Sequence, residues 1–398
     1  MNREDFMMLN KEIVYFDNGA TTFKPKVVKE AIIDYYDSYT ANAHRGDYKI
    51  SLMVDDKLDE VRNKVKDFIN AKEASEIVFT SGATNGLNMI VDGYFKNHLN
   101  KDDEVLITVS EHASNILPWF KLQEEIGIKV KYIELDSDYS VTLDNVKKAI
   151  SDKTKVISLA HITNVIGDIR PIKEICKIAH ENNIKVVVDA AQSIAHTKLD
   201  VIDMDIDFLV ASAHKMYGPT GIGILYGKFD LLEEMKPTNY GGGMNAVFTK
   251  DGYVELREVP VRFEAGTPNI EGIIGLGAAI DYINSIGIDK IGRYELELKK
   301  YLLEQLKEID NVEIYNSNSL GSIVSFNVKD VFAQDVAIYL DKYNICIRAG
   351  NHCAKILNNA INVNNTCRIV LSFYNSKEEI DLFINVLKNS KNIWNEIL

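Results

Sequence analysis

The sequence predicts an α/β protein: a large unit built on a mainly parallel, seven-stranded sheet, followed by a smaller α+β unit. Three observations lead there. Between residues 76 and 226 short β-rich runs alternate with stretches of helical periodicity, as βαβ units require. After Tyr226 that alternation breaks, and residues 237–268 are rich in glycine, proline and polar groups. The chain has 398 residues, above the roughly 250–300 at which a single core stops growing, so two units in close contact are expected.

Residues 26–39 and 52–69 come first and read as amphipathic helices, the second with Val54, Leu58, Val61, Val65 and Phe68 at helical spacing on a core face. The strands expected in the large unit are 76–80, 104–109, 129–134, 155–160, 184–189, 208–211 and 223–226. Helices 83–96, 115–126 and 172–182 lie between them, the last opened by Pro171. The run Gly241-Gly242-Gly243 lacks the Gly-Lys-Ser/Thr ending of a P-loop and reads as a flexible active-site loop in preference to a nucleotide cradle. Helices 270–286 and 291–309 follow, then strands 322–328, 346–348 and 368–372 with helices 334–342 and 377–388. The expected division is an N-terminal segment, 1–20, packing with the small domain, a large domain, 21–270, and a small α+β domain, 271–398.

The totals exclude several classes of function. A formal charge of -13 and a pI near 5.2 argue against nucleic acid or an anionic membrane as partner, because both recruit clustered Lys and Arg. No signal-peptide core stands at the start, and no apolar run approaches the roughly 18 residues of a membrane span. Four cysteines, Cys176, Cys346, Cys353 and Cys367, form no CxxC pair, so free thiols, no metal site and a reducing cytoplasm are expected.

The chemistry centres on Ser212-Ala213-His214-Lys215-Met216-Tyr217-Gly218-Pro219-Thr220-Gly221, placed where an inner strand should end. Asp189 ends the run Val186-Val187-Val188-Asp189, so a carboxylate and a lysine leave one sheet edge. Pyridoxal phosphate needs such a pair, an amine for a Schiff base and an anion that keeps the pyridine nitrogen protonated; alone, Asp189 reads as a structural cap of its turn. Thr80-Ser81-Gly82-Ala83-Thr84-Asn85-Gly86 joins a strand to a helix, and its hydroxyls suit a phosphate and an N-cap equally. Ser212 and His214 add donors. His112, in Glu111-His112-Ala113-Ser114-Asn115, leaves the same edge, either to stack on a planar cofactor or as a hydrogen-bonded structural residue. Asn164 and Gln192 follow two further strands as uncharged donors.

These stretches, with His44-Arg45-Gly46, Phe263-Glu264-Ala265-Gly266-Thr267-Pro268-Asn269 and Arg348-Ala349-Gly350-Asn351-His352-Cys353-Ala354, closely resemble cysteine desulfurases of the SUF-system type, over about residues 15–375 and in family order. Those enzymes belong to the class V aminotransferase group of pyridoxal-phosphate proteins. The resemblance implies the pyridoxal-phosphate-dependent transferase fold type I, with the cofactor in the large domain and the Cys loop in the small one. It implies that Lys215 is the Schiff-base lysine, Asp189 the pyridinium partner, His112 the catalytic residue stacked on the ring and Gln192 the donor to the phenolic oxygen. Ala83, Thr84, Ser212 and His214 would hold the phosphate. Thr267 is similar to a residue that reaches the phosphate of a neighbouring subunit, which implies a homodimer with shared sites. Asn164 and Arg368 would bind the substrate carboxylate, with Arg348 and His44 also at the substrate; by residue type alone, a surface ion pair is the commoner fate of an arginine.

Cys353 narrows the reaction. Cys176, Cys346 and Cys367 read as inert structural thiols, whereas Cys353 sits in a polar loop where positive charge favours thiolate. The resemblance implies that this thiolate attacks the sulfur of cofactor-bound cysteine, yielding L-alanine and a Cys353 persulfide. The sulfur then passes to a SufE-like or SufU-like acceptor, for iron-sulfur cluster assembly or other sulfur trafficking. Two positions depart from the family pattern: Asn351 stands where a second His commonly precedes His-Cys, and Asn85 where Glu is frequent after Thr. They bear on the protonation of the Cys loop, on the dimer surface and so on the acceptor. The short spacing from Arg348 to Cys353 favours the SUF-type short loop. A selenocysteine lyase on the same frame and a sulfur-relay scaffold without turnover are the alternatives, and intact Lys215, Asp189 and Cys353 speak against the second. No GxGxxG follows the first strand, against a nicotinamide-dependent dehydrogenase.

Overall fold

The structure is a computed structural model that describes residues 3–43, 46–315, 317–389 and 393. At its centre lies a seven-stranded sheet in the order Ile77–Thr80, Gly223–Gly227, Phe208–Ser212, Lys185–Asp189, Thr154–Ala160, Glu104–Thr108, Lys129–Ile133. Gly223–Gly227 runs antiparallel to both neighbours, and every other pairing is parallel. Successive residues of an inner strand enter opposite cores: Val186 and Val188 join one cluster, Val187 the other. Strands covered on both faces need that continuous apolar run, which is why they were legible.

Parallel strands send their C-terminal ends to one edge. The turns after Thr80, Thr108, Ala160, Asp189 and Ser212 therefore open together, as active-site loops of α/β sheets do. Gly223 makes part of this edge possible, because a Cβ there would stand 2.4 Å from the Ala211 carbonyl oxygen and 2.6 Å from Gly82 Cα.

The C-terminal part carries an antiparallel sheet, Val312–Tyr315, Ile323–Val328, Thr366–Val370 and Arg348–Gly350. The N-terminal segment joins it: Val14–Tyr15 pairs in parallel with Ile345–Cys346, and Asp17 bridges to Val370. Helix Ile270–Ile286 lies against helices Lys26–Ser38 and Lys49–Phe68.

Three local expectations change. The strand expected at 346–348 is two short strands with different partners, Ile345–Cys346 and Arg348–Gly350, since the chain crosses from one sheet to another at Ile347. The segment expected to be loop contains a hairpin, Asn245–Phe248 with Val254–Leu256, whose residues are nearly all exposed, so it lacks the apolar-polar alternation that marks a strand. The helix expected at 83–96 is α-helical over Ala83–Met89 and π-helical over Ile90–Phe95, a widening that apolar spacing does not distinguish. Among the described residues no helix is long and apolar enough to cross a membrane.

Candidate active site

The sheet-edge turns and the Arg348–Cys353 loop enclose a cavity of about 440 Å³. Ala83, Thr84, His112, Asn164, Asp189, Gln192, Ser212, His214, Lys215, Arg348, Cys353 and Arg368 all line it. Thr267 does not: it lines a separate cavity of about 110 Å³ with Asn42, Ala43 and Gly266. His44 lies outside the described residues.

Lys215 closes the single helical turn Ala213–Lys215 after strand Phe208–Ser212. The turn is held from outside: the His214 carbonyl accepts from the Thr22 N–H at 3.0 Å and from the Thr21 hydroxyl at 3.0 Å, and the Tyr217 N–H donates to Thr22 Oγ1 at 2.9 Å. Burial lowers the Lys215 pKa from 10.5 to about 8, partly opposed by the Asp189 carboxylate. Asp189 accepts the Ala191 N–H at 2.9 Å, and burial raises its pKa while that bond and Lys215 act the other way. Gln192 Nε2 donates to the Gly19 carbonyl at 2.9 Å, which ties this turn to the N-terminal segment.

His112 accepts the Ser114 N–H on Nδ1 at 3.1 Å, so its neutral ring carries the proton on Nε2. Burial and the charges of Lys215 and Arg368 lower its pKa to about 4. Beyond it, the Ala83 N–H donates to Ser212 Oγ at 2.8 Å and Thr84 Oγ1 lies 2.7 Å from Ser114 Oγ. The departing residue Asn85 has a local task, accepting the Ser81 N–H at 3.1 Å on its side chain.

At the other end Arg368 is 4% exposed, so it is not a surface ion pair. Its Nη1 donates to the Asn164 carbonyl at 2.9 Å, while its buried Nε has no partner. Asn164 Nδ2 donates to the His352 carbonyl at 2.7 Å, and the Ala113 N–H to the Cys353 carbonyl at 2.8 Å. These anchors hold His352 and Cys353 at φ of 50° and 55°, a left-handed backbone that costs a non-glycine residue on the order of 1 kcal/mol or more. Asn351 accepts from Asn358 Nδ2 at 2.9 Å and so stiffens the same loop. Cys353 is exposed, whereas burial pushes the thiols of Cys176, Cys346 and Cys367 up.

Three participants were missed. Asp17 lies 2.8 Å from Arg348 Nη2 and 3.4 Å from Arg368 Nη2. Glu111 and Arg170 form a fully buried ion pair, with Glu111 Oε2 accepting the Ala160 N–H at 2.7 Å and Asn115 Nδ2 at 2.9 Å. That pair binds the His112 turn to the segment that carries Asn164. A charged residue type by itself signals solvent, and only the fold buries these two. The one sequence signal for Glu111 was its place beside His112.

An amine and a carboxylate at the ends of adjacent strands, with hydroxyls and two imidazoles lining the same cavity, fit pyridoxal 5′-phosphate. Comparison with known proteins agrees. Residues 14–383 match the family described as aminotransferase class-V. The chain belongs to the class V aminotransferases. Its cofactor is pyridoxal 5′-phosphate.

This class V aminotransferase is 41% identical to a protein named probable cysteine desulfurase from Halalkalibacterium halodurans, over 98% of each chain. It is 43% identical to another of that name from Synechocystis sp., over 97% of this chain and 94% of the other. The apo structure of a cysteine desulfurase from Thermococcus onnurineus NA1 superposes with a TM-score of 0.93 at 40% identity, covering 97% of this class V aminotransferase and 96% of that chain.

Proposed function

We propose that the chain is a SUF-type cysteine desulfurase that converts L-cysteine to L-alanine and carries the released sulfur as a persulfide on Cys353. One observation carries this reading: an exposed cysteine, presented on a left-handed backbone, shares a cavity with Lys215 and Asp189. The names of the relatives support it, and the short step from Arg348 to Cys353 supports the SUF type.

Arg368 receives the substrate carboxylate, its buried Nε–H being a donor that is costly to leave unpaired. Asn164 stays beside it and holds the Cys loop through the His352 carbonyl. Bound pyridoxal phosphate supplies a ring that withdraws electrons from the substrate α-carbon. Asp189 keeps the proton on the ring nitrogen, and His112, neutral, covers the ring face. Gln192 donates to the phenolic oxygen, and Ala83, Thr84, Ser212 and His214 hold the phosphate. Lys215 Nζ, as the free amine, takes the α-proton. The Cys353 thiolate attacks the substrate sulfur: an S–S bond forms as the C–S bond breaks, and the electron pair left on the β-carbon takes one proton to complete the methyl group of alanine, while a proton is returned to the α-carbon.

Thr267 reaches the phosphate of a second copy, in a homodimer with shared sites. Its exposure and its distance from the home cavity support this, as do Val247, Phe248, Tyr253 and Val254, exposed apolar residues of the hairpin. His44 is proposed at the substrate. A SufE-like or SufU-like protein takes the sulfur for iron-sulfur cluster assembly, and four free thiols suit a cytoplasmic setting.

Purified protein given L-cysteine and a reducing thiol should release alanine and sulfide in equal amounts; alanine without sulfide, or neither, would refute the proposal. The rate should also climb as pH rises through about 8, the Lys215 value, because the working form is the free amine. At pH 7 the lowered value leaves on the order of a few hundred times more free amine than an ordinary lysine has. Initial rates of alanine formation across the neutral to alkaline range measure this, and a flat profile would contradict the role of Lys215.

A further inference from the structure

The substrate end of the cavity offers two guanidinium groups to a substrate with one carboxylate, and Asp17 stands between them. In the C-terminal sheet Arg348 lies directly opposite Arg368. Like charges so placed repel unless an anion intervenes. Asp17, brought there by the bridge to Val370, turns one oxygen to each: Oδ2 is 2.8 Å from Arg348 Nη2 and Oδ1 is 3.4 Å from Arg368 Nη2. Both arginines line the cavity and Asp17 does not, so it acts from behind them. The tighter contact holds Arg348 and leaves Arg368 the freer cation, with its Nε buried and unpartnered. Deeper in the cavity the charges of Lys215 and Asp189 already oppose one another.

We infer that Asp17 is a specificity residue, a fixed counter-ion that leaves one cation unmatched at the substrate end, so that the site accepts amino acids with a single carboxylate and rejects those with an acidic side chain. The inference rests on the reading of this cavity as a site for a small amino acid. A second carboxylate on the ligand meets no second free cation there, and its loss of hydration goes uncompensated. Asp17 touches neither the reacting atoms nor the ligand; it acts through the arginines.

The test uses the cofactor-loaded protein and two probes without sulfur, L-alanine and L-aspartate, with affinities measured by calorimetry. Asp17→Asn keeps the shape and removes the charge, and should raise the aspartate-to-alanine affinity ratio about tenfold. Asp17→Glu should keep the ratio within about twofold of wild type. Arg348→Gln leaves Asp17 facing Arg368 alone and should lower the ratio, so the inference stays testable if Asp17→Asn folds poorly. An unchanged ratio in Asp17→Asn, an equal loss of both ligands, or a rise in Arg348→Gln would overturn it. Failure of the desulfurase reading would show separately, as no sulfide from L-cysteine in a wild-type protein that still separates the two probes.

Discussion

Replacing Cys353 with serine should cut sulfide release from L-cysteine by on the order of a thousandfold or more, while the visible absorbance of the bound cofactor stays as in wild type. The two readouts separate because Cys353 enters the cavity from the C-terminal sheet, whereas Lys215, Asp189 and the other residues proposed to hold the cofactor within this chain come from the edge of the seven-stranded sheet. No other thiol can take over. Cys176 and Cys367 are fully buried, burial raises the pKa of Cys346 as well, and none of the three lines the cavity. Folding should be little affected, since the side chain is exposed and the loop is held by main-chain oxygens of His352 and Cys353, which the substitution keeps. Sulfide measured against alanine over many turnovers decides the matter. Release by the serine variant at the wild-type rate would assign the nucleophile elsewhere.

Replacing Lys215 with alanine should abolish both readouts, lowering turnover by on the order of ten-thousandfold or more. On the proposed mechanism the variant loses both the amine that joins the cofactor and the base that takes the α-proton. Thermal unfolding of the apoprotein should shift little, or upward. A buried amine whose pKa is driven down to about 8 by desolvation does not stabilise the fold, and its removal relieves that cost at the expense of a weakened Asp189 pairing. Wild-type absorbance in this variant would refute the attachment point.

The central sheet was legible because its physics is local. Val186 to Val188 and Phe208 to Ala211 are apolar throughout, and such runs, spaced by helices, have few other ways to bury themselves. Lys215, Asp189, His112 and the Thr84 turn could be grouped from the same logic, since each lies at or just after the C-terminal end of a strand in one mainly parallel sheet. The hairpin at 245–256 was illegible for the converse reason: exposed on both faces, it carries no alternation. Glu111 and Arg170 look like solvent-exposed charges until the sheet and the segment after Ala160 close over them.

The sequence by itself determined the architecture of the large sheet, the cofactor chemistry at its edge and Cys353 as the distinctive thiol, because each follows from short runs of the chain and the residue types at their ends. Only the tertiary structure decided how the Cys loop reaches that edge. Asn164 and Ala113 hold it from the large sheet, and Asp17 meets Arg348 and Arg368 from the far end of the chain. These contacts join segments hundreds of positions apart, and no local preference encodes them. They also fix protonation: burial beside Arg368 keeps His352 neutral, with its pKa lowered to about 3, and the Lys215 amine is brought down by the same closing of the cavity. Charge in this site is therefore a property of the assembled fold, while the choice of reacting groups belongs to the chain.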